Sequence, residues 1–157
     1  KTKTRKQYAL GILLTQSIGA LSGWLSKDGM KIFSTSISQP SLSPPAFLFP
    51  IVWGVLYALM GIGAARIYLS PQSTERSRAL NIYITQLIVN FFWSLIFFNV
   101  QAFLFAFFWL LILLFLVLWM ILSFLKVDPL SAKLQIPYLL WPSFAAYLNL
   151  GVWYLNR

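Results

Sequence analysis

Side chains that can stack or hydrogen-bond recur at helical spacing inside the most apolar parts of this sequence. In the run 137–156, one helical face carries the large ring of Trp141, the small side chain of Ala145 and the amide of Asn149. Leu148 and Val152 lie on the same face. An unpaired amide costs several kcal/mol in hydrocarbon, so this face should point inward. Pro137 and Pro142 have no amide hydrogen, so backbone carbonyl groups in the same run lose their hydrogen-bond donors. Neighbouring helices must satisfy those groups. The face either packs helix against helix or lines a binding site.

Two other apolar runs carry matching side chains. Trp53 and Tyr57 stand at i and i+4, followed by small residues from Gly61 to Ala65 that permit close packing. A polar stripe on a later run consists of Gln86, Asn90, Trp93 and Ser94. Amides and hydroxyls are costly against lipid, so this stripe should also face the interior. Asn90 either hydrogen-bonds a ligand or bridges two helices.

Several kinds of chemistry lack the residues they need. The chain has no His and no Cys, so imidazole and thiolate metal ligands are missing and disulfides are impossible. Its three acids, Asp28, Glu75 and Asp128, fall outside the apolar runs, which leaves no carboxylate for an intramembrane proton relay. Conventional acid–base catalysis therefore has almost no candidates. We expect no metal site and no resident cofactor.

Composition indicates an integral membrane protein. Hydrophobic residues make up 59% of the chain and charged residues 10%, with a mean hydropathy of +0.76. A net charge of +9 would suggest nucleic acid as the partner of a soluble chain. Here the basic residues lie between apolar runs, so they indicate membrane topology and a lipid bilayer partner, with no nucleic acid.

The elements that must position these side chains are long helices. We predict an all-α polytopic membrane protein, a single domain over 1–157 forming a five-transmembrane-helix bundle. The helices are expected at about 8–25, 46–69, 79–99, 102–125 and 129–155. The first run follows a basic leader like that of a signal peptide, but no small-residue cleavage site closes it. The fourth run is apolar on every face, which predicts an outermost helix against lipid.

The segment 26–45 is rich in Ser and Pro and predicts a long outer loop. Such a loop is either a lid over a site or a passive connector. The distribution of Lys and Arg predicts on which side of the membrane this loop lies. Nine of the 12 fall on the opposite side, and the side rich in Lys and Arg is cytoplasmic. Those nine are Lys1, Lys3, Arg5, Lys6, Arg66, Arg76, Arg78, Lys126 and Lys133. We therefore predict a multi-pass protein of the cell membrane with a cytoplasmic N-terminus, and with the first loop and the C-terminus outside.

Three segments together resemble a known family. They are QPSLSPP followed by PIVWGVLYALMG within 39–61, YITQLIVNFFWSLIFF at 83–98, and the run from Asp128 to Asn156. In this order and spacing the chain resembles the translocator protein family, also called TspO or tryptophan-rich sensory protein, as a bacterial member. The family commonly has Trp between the loop prolines, where this chain has Leu42. An aromatic pair earlier in the loop is reduced here to Phe33.

The resemblance implies a five-helix bundle, usually a homodimer, with a ligand pocket under the first loop. Its implied ligands are porphyrins such as protoporphyrin IX, benzodiazepine-type drugs and, in animal members, cholesterol. The implied ligand-binding residues are Phe33, Pro44, Trp53, Tyr57, Asn90, Trp93, Trp141, Ala145 and Leu148. Some bacterial members promote light-dependent breakdown of protoporphyrin, and this implies a photochemical role for Trp53 and Trp141.

Three functions follow from these observations. The first is a receptor or sensor that binds tetrapyrroles or drug-like apolar ligands. The second is photo-oxidative degradation of a bound porphyrin, for which indole chemistry under light would replace conventional catalysis. The alternative is a transporter of porphyrin or lipid. It ranks last because coupling groups and internal repeats are lacking in the sequence.

Overall fold

The computed structural model describes residues 2–43 and 48–157, except for the side chains of residues 2, 3 and 49. Throughout these ranges the ordered elements are helices, with no strand. They are α1 (Thr2–Ser36), α2 (Leu48–Tyr68), α3 (Thr74–Ser94), α4 (Phe103–Leu125), α5 (Pro129–Leu134) and α6 (Ile136–Leu155). A π-helical segment, Leu95–Val100, continues α3 to the tight turn before α4.

The predicted fold class, an all-α polytopic membrane protein, is confirmed. Within the described ranges, four helical stretches are long and apolar enough to cross a membrane: 4–36, 50–68, 74–100 and 103–125. The fifth long helix, α6, has 20 residues. It falls outside that group by composition, because its Pro, Asn and Tyr residues lower the mean hydropathy.

The predicted outer loop at 26–45 begins too early. In the structure α1 continues to Ser36, so Asp28 and Phe33 lie on a helix. The hydroxyls of Ser34 and Thr35 donate to the carbonyls of Met30 and Lys31, at 2.9 and 3.0 Å. These bonds satisfy the polar side chains inside the helix, so their presence did not mark a loop.

The predicted helix 129–155 is two helices in the structure. Asp128 and Pro129 occupy the N-cap and first positions of α5. α5 ends after Leu134, and α6 starts at Ile136 with Pro137 in its first turn. Proline lacks an amide hydrogen and suits a helix start, so Pro137 favours a new helix here.

The prediction that the fourth helix lies outermost is wrong. α4 packs directly against α3, α5 and α6. Its buried stripe consists of Ala106, Leu110, Leu113, Val117, Met120 and Phe124. The opposite side, including Phe108 and Phe115, is exposed. A helix that is apolar all round carries no contrast between its sides, so its sequence could not show which side is interior.

Small residues bring α1 and α2 together. A Cβ atom on Gly61 would lie 2.6 Å from the backbone of Gly11, so only glycine fits there. The Thr15 hydroxyl donates to the Tyr57 carbonyl at 2.6 Å, and the Gln16 amide donates to the Gly54 carbonyl at 2.7 Å. These contacts hold the start of α2, which carries the predicted tryptophan site, against α1.

An ion pair ties the opposite end of the bundle together. The Arg66 guanidinium, in the last turn of α2, donates to both carboxylate oxygens of Asp128, at 2.6 and 3.3 Å. It also donates to the Tyr8 hydroxyl at 3.3 Å, and Ser131 donates to Asp128 at 2.6 Å. The hydrogen bond from Arg66 holds the pKa of the Asp128 carboxyl below its ordinary value, with a further contribution from Ser131. The side chains of α1, α2 and α5 therefore meet at one point.

Candidate ligand-binding site

The candidate site lies between α2, α3 and α6, whose backbones pack closely on other partners. α2 packs mainly on α1, while α3 and α6 both pack on α4. Close backbone contacts between α2 and α6 are few, so large side chains fill the space between these helices. Trp53 of α2 and Trp141 of α6 meet there edge to face, with ring centroids 6.0 Å apart and an interplanar angle of 86°.

Five rings form a continuous row from the interior toward the first loop. Tyr57 stacks on Trp53 with a centroid distance of 5.4 Å. Beyond the indole pair, Trp141 contacts Phe144 at 5.9 Å, and Phe144 stacks on Tyr147 at 6.2 Å. Tyr57 is buried, whereas Tyr147 at the other end is 45% exposed. We call Tyr57, Trp53, Trp141, Phe144 and Tyr147 the aromatic row.

The first loop lies against the exposed end of the aromatic row. The Tyr147 hydroxyl donates to the Ser41 carbonyl at 2.9 Å. The backbone amide of Ser38 donates to the Asn156 side chain at 3.0 Å, and the Asn156 amide donates back to the Ser38 carbonyl at 2.8 Å. Pro40 lies so close to Gly151 that a Cβ atom there would meet it at 2.7 Å. These contacts with α6 favour a lid over a passive connector.

A buried set of hydrogen bonds joins the three helices beside the row. The Tyr57 hydroxyl donates to Asn90 Oδ1 at 2.7 Å. Asn90 Nδ2 donates to the Tyr138 hydroxyl at 2.7 Å, and Tyr138 donates to Gln86 Oε1 at 2.6 Å. All four side chains are almost fully buried. Because both polar atoms of Asn90 are used within the protein, bridging between helices is the favoured role of this residue.

A second polar link lies nearer the loop end. Trp93 of α3 donates its indole hydrogen to Asn149 Oδ1 of α6 at 3.1 Å, and Asn149 Nδ2 donates to the Phe103 carbonyl at 2.7 Å. Asn149, Ala145 and Val152 are buried. The face of α6 singled out in the sequence therefore does point inward, with Trp141 and Leu148 half-buried at its edges.

The residues implied by the family resemblance fall into two groups. Trp53, Tyr57, Asn90 and Trp141 lie together around the aromatic row, and Ala145 lies in the same hydrophobic core. Trp93 packs against this core as well, and its ring stacks on Phe97 at 5.0 Å. Leu148 lies on the neighbouring turn of α6, and Pro44 lies outside the described residues.

The predicted loop position of Phe33 is wrong. Phe33 lies on α1 and packs on Phe97 and Phe98, with centroid distances of 5.2 and 5.3 Å. Its ring contacts in the described part of the chain are with these two residues, which belong to the π-helical segment. The structure therefore places Phe33 in a second aromatic cluster with Phe97 and Phe98, and Trp93 packs against both this cluster and the main core that contains Trp53 and Trp141.

Sequence reasoning missed three residues of this site. Tyr138 stands three positions before Trp141 and seven before Ala145, so it extends the inward face of α6 by one turn. That spacing was a signal for its burial. Phe144 and Tyr147 follow Trp141 at intervals of three, but an exposed aromatic in a membrane helix is also typical of lipid contact. Their place in the row needed coordinates.

The fold and this site define a class of protein. It is a polytopic all-α membrane protein in which aromatic and amide side chains fill the space between three helices, and a loop lies against one end of that space. Sequence comparison narrows the class. Residues 11–155 match the TspO/MBR family, and the chain belongs to that family.

Relatives from distant organisms match three quarters or more of the chain. The Tryptophan-rich protein TspO of Chlorobaculum tepidum is 31% identical, covering 94% of each chain. The human Translocator protein is also 31% identical, over 95% of this chain and 90% of its own length. The Tryptophan-rich sensory protein of Cereibacter sphaeroides is 30% identical over 77% of this chain and 75% of its own.

Proposed function

We propose that this protein is a membrane receptor or sensor that binds protoporphyrin IX, related tetrapyrroles and benzodiazepine-type ligands between α2, α3 and α6. The observation that carries the proposal is the aromatic row, which leads from the first loop to the buried centre of the bundle. The name of one relative, the Tryptophan-rich sensory protein of Cereibacter sphaeroides, agrees with a sensory role.

The geometry of the row suits a flat apolar ligand. A porphyrin is a broad π system, and each ring–ring contact adds ~0.5–1.5 kcal/mol beyond area burial. Trp53 and Trp141 contact each other edge to face. A ligand inserted between the two indoles replaces this one contact by two stacking contacts. Since few backbone contacts join α2 and α6, side-chain rotation can open the space without separating packed helices.

The charged residues favour binding over ion-coupled transport. Asp28 and Glu75 are exposed in the structure, and Asp128 is paired with Arg66 at one end of the bundle. None of them lies beside the aromatic row, so the site has no acid to couple a proton or cation to ligand movement. Flux of porphyrin into liposomes above that of empty vesicles would instead support the transport alternative.

Quenching of Trp fluorescence by protoporphyrin IX, in detergent and in the dark, tests the receptor proposal. The double variant Trp53→Leu/Trp141→Leu should bind about tenfold more weakly, because two stacking contacts are lost. The matched control is Trp24→Leu/Trp119→Leu, which removes two exposed indoles outside the row. Unchanged affinity in the first variant, or equal losses in both, would rule out this site.

A second candidate activity is light-dependent oxidation of the bound porphyrin, with dioxygen as the oxidant. Support comes from the contact between the two indoles and from Tyr57 stacked on Trp53, which place oxidisable rings beside the proposed ligand. Bleaching of protoporphyrin should then require light, air and protein together. The conservative variant Trp53→Phe/Trp141→Phe keeps stacking surfaces but removes both indoles, so it should bind the ligand and bleach it more slowly. Bleaching at the wild-type rate would exclude a role for these tryptophans.

A further inference from the structure

A charged groove lies at the end of the bundle opposite the first loop. It has a volume of about 370 Å³ and lies between the start of α3 and the end of α4. The groove is lined by Glu75, Arg78, Trp119, Leu122, Ser123 and Lys126. It is separate from the aromatic row, and the proposed ligand site uses none of these side chains.

Two cations in the groove have no ion-pair partner among the described residues. Arg66, at the same end, is paired with Asp128, and Arg76 lies over the Tyr68 ring and donates to the Tyr68 carbonyl. In contrast, Arg78 and Lys126 are exposed and take part in no ion pair with another described residue. Glu75 is the one acid of the groove, so its lining sets two cations against one carboxylate and has a net charge of +1. This arrangement favours a ligand with a negative charge.

The groove continues into an apolar surface. Trp119 is 44% exposed and Leu122 is 52% exposed, and Phe115 and Leu118 on the preceding turn are exposed as well. Exposed Trp beside a basic residue is typical of the level of the headgroups in a bilayer. A pocket for an anion therefore adjoins a track for an acyl chain, as the two parts of a phospholipid require.

We propose that this groove binds a membrane phospholipid through its phosphodiester. Arg78 and Lys126 pair with the phosphate oxygens, and the Ser123 hydroxyl donates to the same group. Glu75, the one acid in the groove, accepts a hydrogen bond from the outer part of the headgroup. That part must carry O–H or N–H groups, as in phosphatidylglycerol and phosphatidylethanolamine. Phosphatidylcholine has a trimethylammonium group without such a donor, so the site should discriminate against it.

Native mass spectrometry with the full chain in detergent tests this proposal. It measures how much phosphatidylglycerol and how much phosphatidylcholine stay bound to the protein. The wild type should retain phosphatidylglycerol preferentially. Arg78→Gln/Lys126→Gln should weaken its binding about 30-fold, since each basic residue near an anionic headgroup contributes about fivefold. Glu75→Met, which removes the acceptor at similar side-chain length, should reduce the preference over phosphatidylcholine while keeping affinity for the phosphate.

The control variant, Arg5→Gln/Lys6→Gln, removes two exposed cations from the same end of the bundle but none from the groove. An equal loss in both double variants would show diffuse surface attraction and overturn the site. Equal retention of phosphatidylcholine by the wild type would overturn the role of Glu75 and with it the proposed headgroup. Displacement of the lipid by inorganic phosphate at equal concentration would show a site for free phosphate and contradict a lipid ligand.

Discussion

Single hydroxyl groups hold the polar interior of this protein together. The Tyr138 hydroxyl accepts from Asn90 and donates to Gln86, so one oxygen satisfies an amide group on each of two successive turns of α3. Tyr138 and both of its partners, Asn90 and Gln86, are buried. Residue by residue, the interior is therefore specified by pairing rather than by hydrophobicity alone.

Replacing Tyr138 by Phe should destabilise the protein by about 1–3 kcal/mol, because it leaves two buried polar atoms without this partner. Unfolding of the purified protein in mixed detergent and SDS, followed by circular dichroism, measures the change. Tyr154→Phe is the matched control, since Tyr154 is 57% exposed. A loss no larger than that of the control would mean that the Tyr138 bonds add nothing to stability.

Contacts between whole helices depend on a few small residues. Gly19 and Gly23 have the spacing of a close-contact pair on α1, but one of the two makes such a contact in the structure. Gly19 lies under the Tyr57 ring, whereas a Cβ atom on Gly23 would meet nothing within 4 Å. The backbones of α1 and α2 also come close together at Gly11 and Gly61.

Gly61→Val should therefore cost about 1–3 kcal/mol, since its side chain would meet backbone that cannot rotate away. Gly23→Val makes the same chemical change on an open surface and should have a much smaller effect. Thermal unfolding of both variants in the same detergent gives the comparison. Equal shifts in Tm would show that α1 and α2 do not need the glycine contact.

The ion pair between α2 and α5 makes stability depend on pH. The folded-state pKa of Asp128 lies below its ordinary value, so the ionised carboxylate stabilises the fold. This contribution is complete above the ordinary Asp pKa of about 3.9 and is lost as the pH falls through the lower folded-state value.

Asp128→Asn should cost about 1–3 kcal/mol at neutral pH, because a charge-assisted pair is replaced by a neutral one. The difference in unfolding free energy between wild type and variant should shrink as the pH falls below 4, roughly the ordinary Asp value. Asp28→Asn is the control, since Asp28 is exposed and has no ion pair among the described residues. A wild-type–variant difference that stays constant from neutral to acidic pH would contradict this role for the ion pair.

For the molecule as a whole, the two ends of the bundle differ in charge. The end with Arg66, Arg78 and Lys126 carries most of the basic residues, and the end with the first loop carries few. The positive-inside rule therefore predicts that the charged end is cytoplasmic.

Because the chain has no Cys, single cysteines can report this orientation directly. Ser41→Cys, on the first loop, should react with a membrane-impermeant thiol reagent in intact cells. Gln72→Cys, between α2 and α3, should react after permeabilisation. Both positions are exposed in the structure. The reverse labelling pattern would place the first loop in the cytoplasm.

Much of the architecture was predictable because membrane helices are encoded locally. Hydropathy marked the apolar runs, and a period of 3.6 residues marked the inward faces around Asn90 and Asn149. The errors occurred where the local sequence does not distinguish between the alternatives. α1 continues through a Ser-rich stretch whose hydroxyls bond within the helix, and α4 has no polar side to show its orientation.

By itself, the sequence determined that this is a helical membrane protein of the TspO/MBR type with ring and amide side chains facing inward. Composition and periodicity depend on neighbouring residues, so they can be read along the chain. Tertiary structure alone decided that Tyr138 is the partner of Asn90, that Phe33 lies apart from Trp53, and that five rings form one row. These facts depend on packing between residues distant in sequence, such as Asn90 and Tyr138, which are 48 positions apart.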